Sequence, residues 1–289
     1  MATSSKNPDT ICEQCISGSI HKGLPKGTIE KVHGLDTYII GNRTNPRGII
    51  VVYTDVFGLE LPNNKLIADS YAASGEWLVY VPDFFKGDPM SLSLANVLIP
   101  VSKAKQSGLS FFTGLLGNLP SAVMWMQRHK AGPTTETCVN FFQELRKETY
   151  GKLKIGMVGM CWGGRYSFQM AQEKHMIEIE GKKVPLVDAA VALHPSNLVF
   201  PEDAEGLVAP LSCGWGEKDT NTKIELKGQL EEIVRKEKAA GKTVAEVVNQ
   251  VYTPGRHGFA VRGDPDDPQE KKCLEDSVTQ VLEWCDKWL

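Results

Sequence analysis

Six short runs of apolar and β-branched residues punctuate the chain, and amphipathic stretches separate most of them. The runs fall at 48–53 (GIIVVY), 77–81 (WLVYV), 154–158 (KIGMV), 188–193 (DAAVAL), 209–213 (APLSC) and 246–252. Several are nearly continuous in apolar side chains, the pattern of parallel strands buried on both faces. The intervening stretches predict helices over 63–73, 135–149, 162–174, 222–240 and 269–288. This alternation predicts the α/β class, with a mainly parallel, doubly wound sheet and helices on both of its faces. In such sheets ligands meet the loops that follow the carboxyl ends of the strands. Residues 90–132 break the alternation. They are rich in Leu, Ser, Phe and Gly and hold Met124-Trp125-Met126. Two readings fit them, a substrate-covering insertion or an ordinary helix packed on the sheet.

The remaining bulk properties narrow the class. A length of 289 residues suits one large α/β domain, and the chain contains no internal repeat, low-complexity tract or Gly/Ser linker. Residues 29–289 therefore read as one domain, preceded by a polar lead-in at 1–28. Hydrophobic residues make up 42% and charged residues 23%, and the net charge is −3. A nucleic-acid partner would need a clustered basic face, which this balance argues against. No apolar run of 18 residues occurs, so no membrane partner is expected. The polar start lacks the apolar stretch of a secretory signal, and seven cysteines, an odd number, read as reduced thiols of a cytoplasmic protein. Cys12 and Cys15 form C-x-x-C with His21 nearby, but no second ligand pair follows. No metal or cofactor is expected from them. Monomer and homodimer stay equally open.

The chemistry concentrates at three strand ends. Gly159-Met160-Cys161-Trp162-Gly163-Gly164 follows the run 154–158 and opens a helix. A nucleophile on so tight a strand-to-helix turn has strained backbone, and side chains two residues either side would collide, hence the glycines. The helix N-terminus favours the Cys161 thiolate, and the Trp162 backbone N–H is placed to stabilise an oxyanion. A buried structural cysteine in a glycine turn is the bland alternative. After the run 209–213 comes Gly214-Trp215-Gly216-Glu217-Lys218-Asp219. Asp219 lies farther into this loop than its competitor Glu217 and is the candidate orienting acid. His257, in Pro254-Gly255-Arg256-His257-Gly258-Phe259, is the candidate base. Its rival is His194, at a strand end before Pro195, while His129 and His175 look like surface positions. Nucleophile, acid and histidine thus occur in the order expected of α/β-hydrolases.

These residues resemble the dienelactone hydrolase family, particularly its eukaryotic carboxymethylenebutenolidase-like members. The likeness runs from about Ile29 to the C-terminus. It rests on Asp55-Val56-Phe57-Gly58, Val81-Pro82-Asp83-Phe84-Phe85, the 159–164 turn, the Asp219 loop and His257-Gly258-Phe259. It implies an α/β-hydrolase fold and a small-molecule ester or lactone substrate, with Cys161 as nucleophile, His257 as base and Asp219 as its orienter. It also implies that the Val56 N–H is the second oxyanion donor, and that an acid at Asp55 contacts the cysteine before substrate arrives. Bacterial members have glutamate there.

Two departures bear on the substrate. Bacterial members hold a substrate carboxylate with two arginines. Where the first is expected this chain has Lys86, and four residues beyond His257 it has Val261, with Arg262 one step later. A lysine does not replace a bidentate guanidinium. With Phe84, Phe85 and Trp162 nearby, a more apolar substrate is expected, Lys86 and Arg262 being the basic groups left to touch it. Three alternatives remain: a biosynthetic acyl-transfer or cyclisation enzyme on the same fold, a non-catalytic small-molecule binding protein, and a thiol redox protein. For the last, no resolving partner lies near Cys161 in sequence.

Overall fold

The computed structural model describes residues 23–93, 117 and 120–289. The C-x-x-C pair and most of the 90–132 segment lie outside these residues.

Strands β1 (Thr28–Val32), β2 (Leu35–Gly41), β3 (Gly48–Tyr53), β4 (Trp77–Pro82) and β5 (Ile155–Met160) open the sheet. A small antiparallel hairpin follows, β6 (Ile177–Ile179) with β7 (Lys182–Val184). Strands β8 (Ala189–Leu193), β9 (Leu211–Gly216) and β10 (Val247–Tyr252) complete the main sheet, whose order is β1-β2-β4-β3-β5-β8-β9-β10. The six strands read from hydrophobicity run parallel to one another, and β1 and β2 join antiparallel at one edge. Strands β3, β5, β8 and β9 are buried at every position, which is why their sequences show no polar alternation. By contrast β1 is almost wholly exposed and β2 mixes Asp36 and Thr37 among apolar residues. Neither gives a clean apolar run.

Helices α1 (Pro62–Ala72), α2 (Ala131–Thr149), α3 (Trp162–Met170), α4 (Glu225–Ala239) and α5 (Pro268–Trp288) correspond to the five expected. A one-turn helix, Phe259–Arg262, was not foreseen. Gly156 and Gly159 are an odd number of residues apart on β5 and so face opposite sides of the sheet. A Cβ on Gly156 would meet Leu289 and Cys285, at the end of α5. One on Gly159 would overlap the Gly163 carbonyl and Ser167 of α3. Helices therefore cover both faces, and the fold is that of the α/β hydrolases. Among the described residues no helix is long and apolar enough to cross a membrane.

Because β3, β5, β8, β9 and β10 are consecutive neighbours and parallel, their carboxyl ends line one rim. The loops that start there carry, in turn, Asp55, Cys161, His194, Asp219 and His257.

Candidate active site

Cys161 occupies the turn between β5 and α3 with φ 53° and ψ −110°, a conformation that L-residues avoid and that a tight strand-to-helix turn forces. The glycines around it are required by contact. A Cβ on Gly159 would come within 2.2 Å of the Gly163 carbonyl oxygen, and one on Gly163 within 2.2 Å of the Tyr53 carbonyl oxygen. The Cys161 N–H donates to the Leu193 carbonyl (3.1 Å), and the Gly163 N–H donates to Thr54 (3.2 Å). The nucleophile turn is thus clamped between the ends of β8 and β3.

His257 and Asp219 meet beside it. The His257 ring donates from Nδ1 to Asp219 Oδ2 over 2.7 Å, and both side chains are buried. The other Asp219 oxygen accepts from the N–H groups of Asn221 and Thr222, each at 2.8 Å, which fixes the carboxylate plane. Cys161 also acts electrostatically on the His257 ring. Burial opposes a charge on this ring, but Asp219 and Cys161 together outweigh it and hold His257 well above the usual histidine range. The rival His194 is fully buried and edge-on to His257, with ring centroids 5.2 Å apart. Its burial, His257 and Arg262 all disfavour its charged form.

Asp55, at the end of β3, is fully buried. Its Oδ1 accepts from the Phe57 N–H (3.1 Å) and the Asn64 amide (2.9 Å), and Arg262 Nε lies 3.4 Å from Oδ2. Burial raises the Asp55 carboxyl, Arg262 opposes that, and Cys161 raises it further, leaving it at about 6. Arg262 reaches this position because Gly258, at φ 87°, turns the chain into the one-turn helix and brings residue 262 back beside it. A Cβ on Gly258 would lie 2.6 Å from the guanidinium.

Arg262→Met will destabilise the fold by about 1.4 kcal/mol at pH 7, because it removes the cation that favours ionisation of the buried Asp55 carboxyl. The loss will grow with pH. Below about pH 6 Asp55 is protonated in the native state with or without its partner. Above that, the wild type ionises while the variant retains the proton, and stability falls by about 1.4 kcal/mol per pH unit until the variant's own carboxyl titrates. Urea melts of both proteins at pH 5.5 and 8 measure the difference. An equal loss at the two pH values would show that the pair is not electrostatically coupled.

The remaining expected residues separate into groups. The Val56 carbonyl accepts from the Met90 N–H (2.8 Å). Among the described residues no intramolecular acceptor faces the N–H groups of Val56 and Trp162. Phe85 packs on Trp125 (centroids 5.4 Å apart), which packs in turn on Trp162 (5.1 Å), forming an aromatic wall next to the nucleophile turn. Phe84 instead stacks between Tyr53 and Phe141 in the core. Lys86 lines a depression of about 470 Å³ with His33, Pro133 and Glu136, in which no triad residue takes part. His129, expected at the surface, is buried against Trp125.

A strained cysteine at a strand–helix turn, with an Asp–His pair on the same rim of a mainly parallel sheet, places the chain among the α/β hydrolases. The sequence profile of the dienelactone hydrolase family matches residues 35–289, and the chain belongs to that family. It is 28% identical over 283 residues to the hydrolase pyvD of Aspergillus violaceofuscus, covering 98% of each chain. It is 26% identical to a carboxymethylenebutenolidase homolog of Xenopus tropicalis, over 96% of this chain and 97% of that protein. A dienelactone hydrolase from Anabaena variabilis has the same fold, with TM-score 0.53 and 14% identity over 93% of this chain and all of that one.

Proposed function

We propose that this chain hydrolyses carboxylic esters or lactones, with Cys161 as nucleophile, His257 as general base and acid, and Asp219 as its orienter. The observation that carries this is the 2.7 Å Asp219–His257 contact on an imidazole whose charged form the strained Cys161 also favours. His257 takes the thiol proton, and the thiolate attacks the carbonyl carbon. The N–H groups of Val56 and Trp162 stabilise the oxyanion. As the intermediate collapses, the carbon–oxygen bond to the alcohol breaks and the imidazolium protonates the leaving oxygen. Neutral His257 then takes a proton from water, whose oxygen attacks the thioester. The second collapse expels the thiolate and releases the acid. The dienelactone hydrolases and carboxymethylenebutenolidase homologues among its relatives support a lactone or ester as substrate. Asp55 holds Arg262 at the edge of this centre, and Phe85 belongs to its aromatic wall.

The same residues favour uncharged substrates. Arg262 is buried and engaged by Asp55, Lys86 opens on a separate depression, and the wall beside the nucleophile is aromatic. The enzyme is expected to turn over apolar esters at least as well as a small carboxylated lactone. A missing carboxylate clamp costs roughly ten- to a hundredfold in kcat/KM. Steady-state kinetics on a carboxylated lactone and its methyl ester, alongside a panel of short aryl esters, test both statements. Activity on none of them would refute the hydrolase assignment. A strong preference for the free acid, lost in Lys86→Ala or Arg262→Met, would instead assign those cations to the substrate.

A further inference from the structure

One rim loop, the turn His194-Pro195-Ser196 after β8, has no part in the chemistry above, yet it touches Cys161 and His257 and reaches Asp219 through Thr222. Its first residue has φ 36°, which only tight local packing sustains in a non-glycine residue. The His194 ring lies edge-on to His257. The Pro195 carbonyl accepts from the hydroxyl of Thr222, whose own N–H holds Asp219. The Ser196 N–H donates to the Cys161 carbonyl over 2.8 Å. A Cβ on Gly164 would strike Pro195 at 2.6 Å, so the turn and the start of α3 are in direct contact.

The Ser196 hydroxyl is the notable member. Ser196 is 1% exposed, and its Oγ accepts from the Cys161 S–H over 3.9 Å. Among the described residues that thiol is its side-chain hydrogen-bond partner. Once the sulfur has lost its proton it can only accept, and the buried hydroxyl becomes the donor between them. A neutral thiol is a poor acceptor and a thiolate a good one, so the contact favours the ionised sulfur and tightens when charge is present.

We propose that Ser196 donates its hydroxyl hydrogen bond to the Cys161 thiolate and thereby assists its departure when the thioester is hydrolysed. This rests on Cys161 being the nucleophile. In the deacylating collapse the carbon–sulfur bond breaks and its electron pair stays on sulfur, while the carbonyl double bond re-forms. The Ser196 O–H points at that developing charge and keeps its proton throughout. The bond acts in opposite senses on the two half-reactions. A stabilised thiolate is more abundant at neutral pH and leaves more readily, but each thiolate attacks less avidly. Serine here is therefore a deacylation device.

The test uses Ser196→Ala, which removes one buried atom and introduces no clash, with Ser196→Thr as the variant that keeps a donor. The pH dependence of iodoacetamide inactivation gives the thiol pKa and the plateau rate of the fully ionised sulfur. Intact mass, after quenching during turnover of an excess aryl ester, gives the fraction held as thioester. In Ser196→Ala the thiol pKa is expected to rise by about one to two units. Its plateau rate should be unchanged or higher, and a thioester adduct should accumulate that the wild type does not show. Ser196→Thr should restore the wild-type pKa. An unchanged thiol pKa in Ser196→Ala overturns the proposal, and a shifted pKa without adduct overturns its leaving-group part. If alkylation mapped to Cys161 leaves wild-type activity intact, the nucleophile assignment itself has failed, a result separate from either of these.

Discussion

Cys161→Ala will lower kcat on the ester panel by a factor on the order of 10⁴ or more, because no other group can form the covalent intermediate. The same residue will be the first alkylated by iodoacetamide, with activity lost in step. Among the described residues the selectivity follows from the surroundings of the other four thiols. Burial pushes Cys138, Cys213 and Cys273 upward and Cys285 up to about 12, so all four are thiols at neutral pH. Only thiolates react at useful rates. Cys161 differs from these four in its electrostatic coupling to the His257 ring. Peptide mapping after partial inactivation measures the order of labelling. Loss of activity without modification at Cys161, or full modification without loss, would remove Cys161 from the mechanism.

Asp219→Asn will preserve the fold and reduce kcat by about 10⁴. An amide in place of the carboxylate still accepts from Asn221 and Thr222, so the loop holds its shape. The imidazole loses the larger of the two charges that together offset its burial, and with it the contact that orients the ring. The pH profile carries a second signature. The wild-type imidazole sits well above the usual histidine range, and removal of Asp219 will bring its titration down. Glu217→Gln is the control: Glu217 comes from the same loop, but its carboxylate does not pair with the ring. A crippled Glu217→Gln beside a mild Asp219→Asn would reverse the assignment.

The central parallel strands were legible because burial on both faces leaves few polar residues to obscure them, as in GIIVVY of β3. The edge pair β1 and β2 was not, since an exposed strand such as TIEKV satisfies its polar face in water and resembles a loop. Asp219 and His257 could be read from chain order and from their loops alone. Asp55 with Arg262, and Cys161 with Ser196, could not. The first pair is separated by 207 positions and depends on a one-turn helix begun by the positive φ of Gly258. The second depends on β5 and β8 being neighbours with ends at the same height. Neither condition leaves a local pattern. Ser196 had one faint signal, its place three residues beyond a fully apolar strand, in a loop like those that carry the other site residues. Trp125 lay in a segment read only for its apolar character. Its contacts with Phe85 and Trp162 are tertiary.

The order in which the strands deliver these side chains has a consequence for how activity and structure can part company. Cys161 is held by β5, in the middle of the sheet, whereas His257 follows β10, which forms a ladder with β9 on one side only and leaves Val248 and Val251 partly in water. Amide groups on a one-sided ladder open at lower free energy than those in the centre. Partial opening at that margin withdraws the base while the nucleophile and the clamp around it persist. The last strand of the sheet therefore sets the stability of the active state, and the central strands set the stability of the fold.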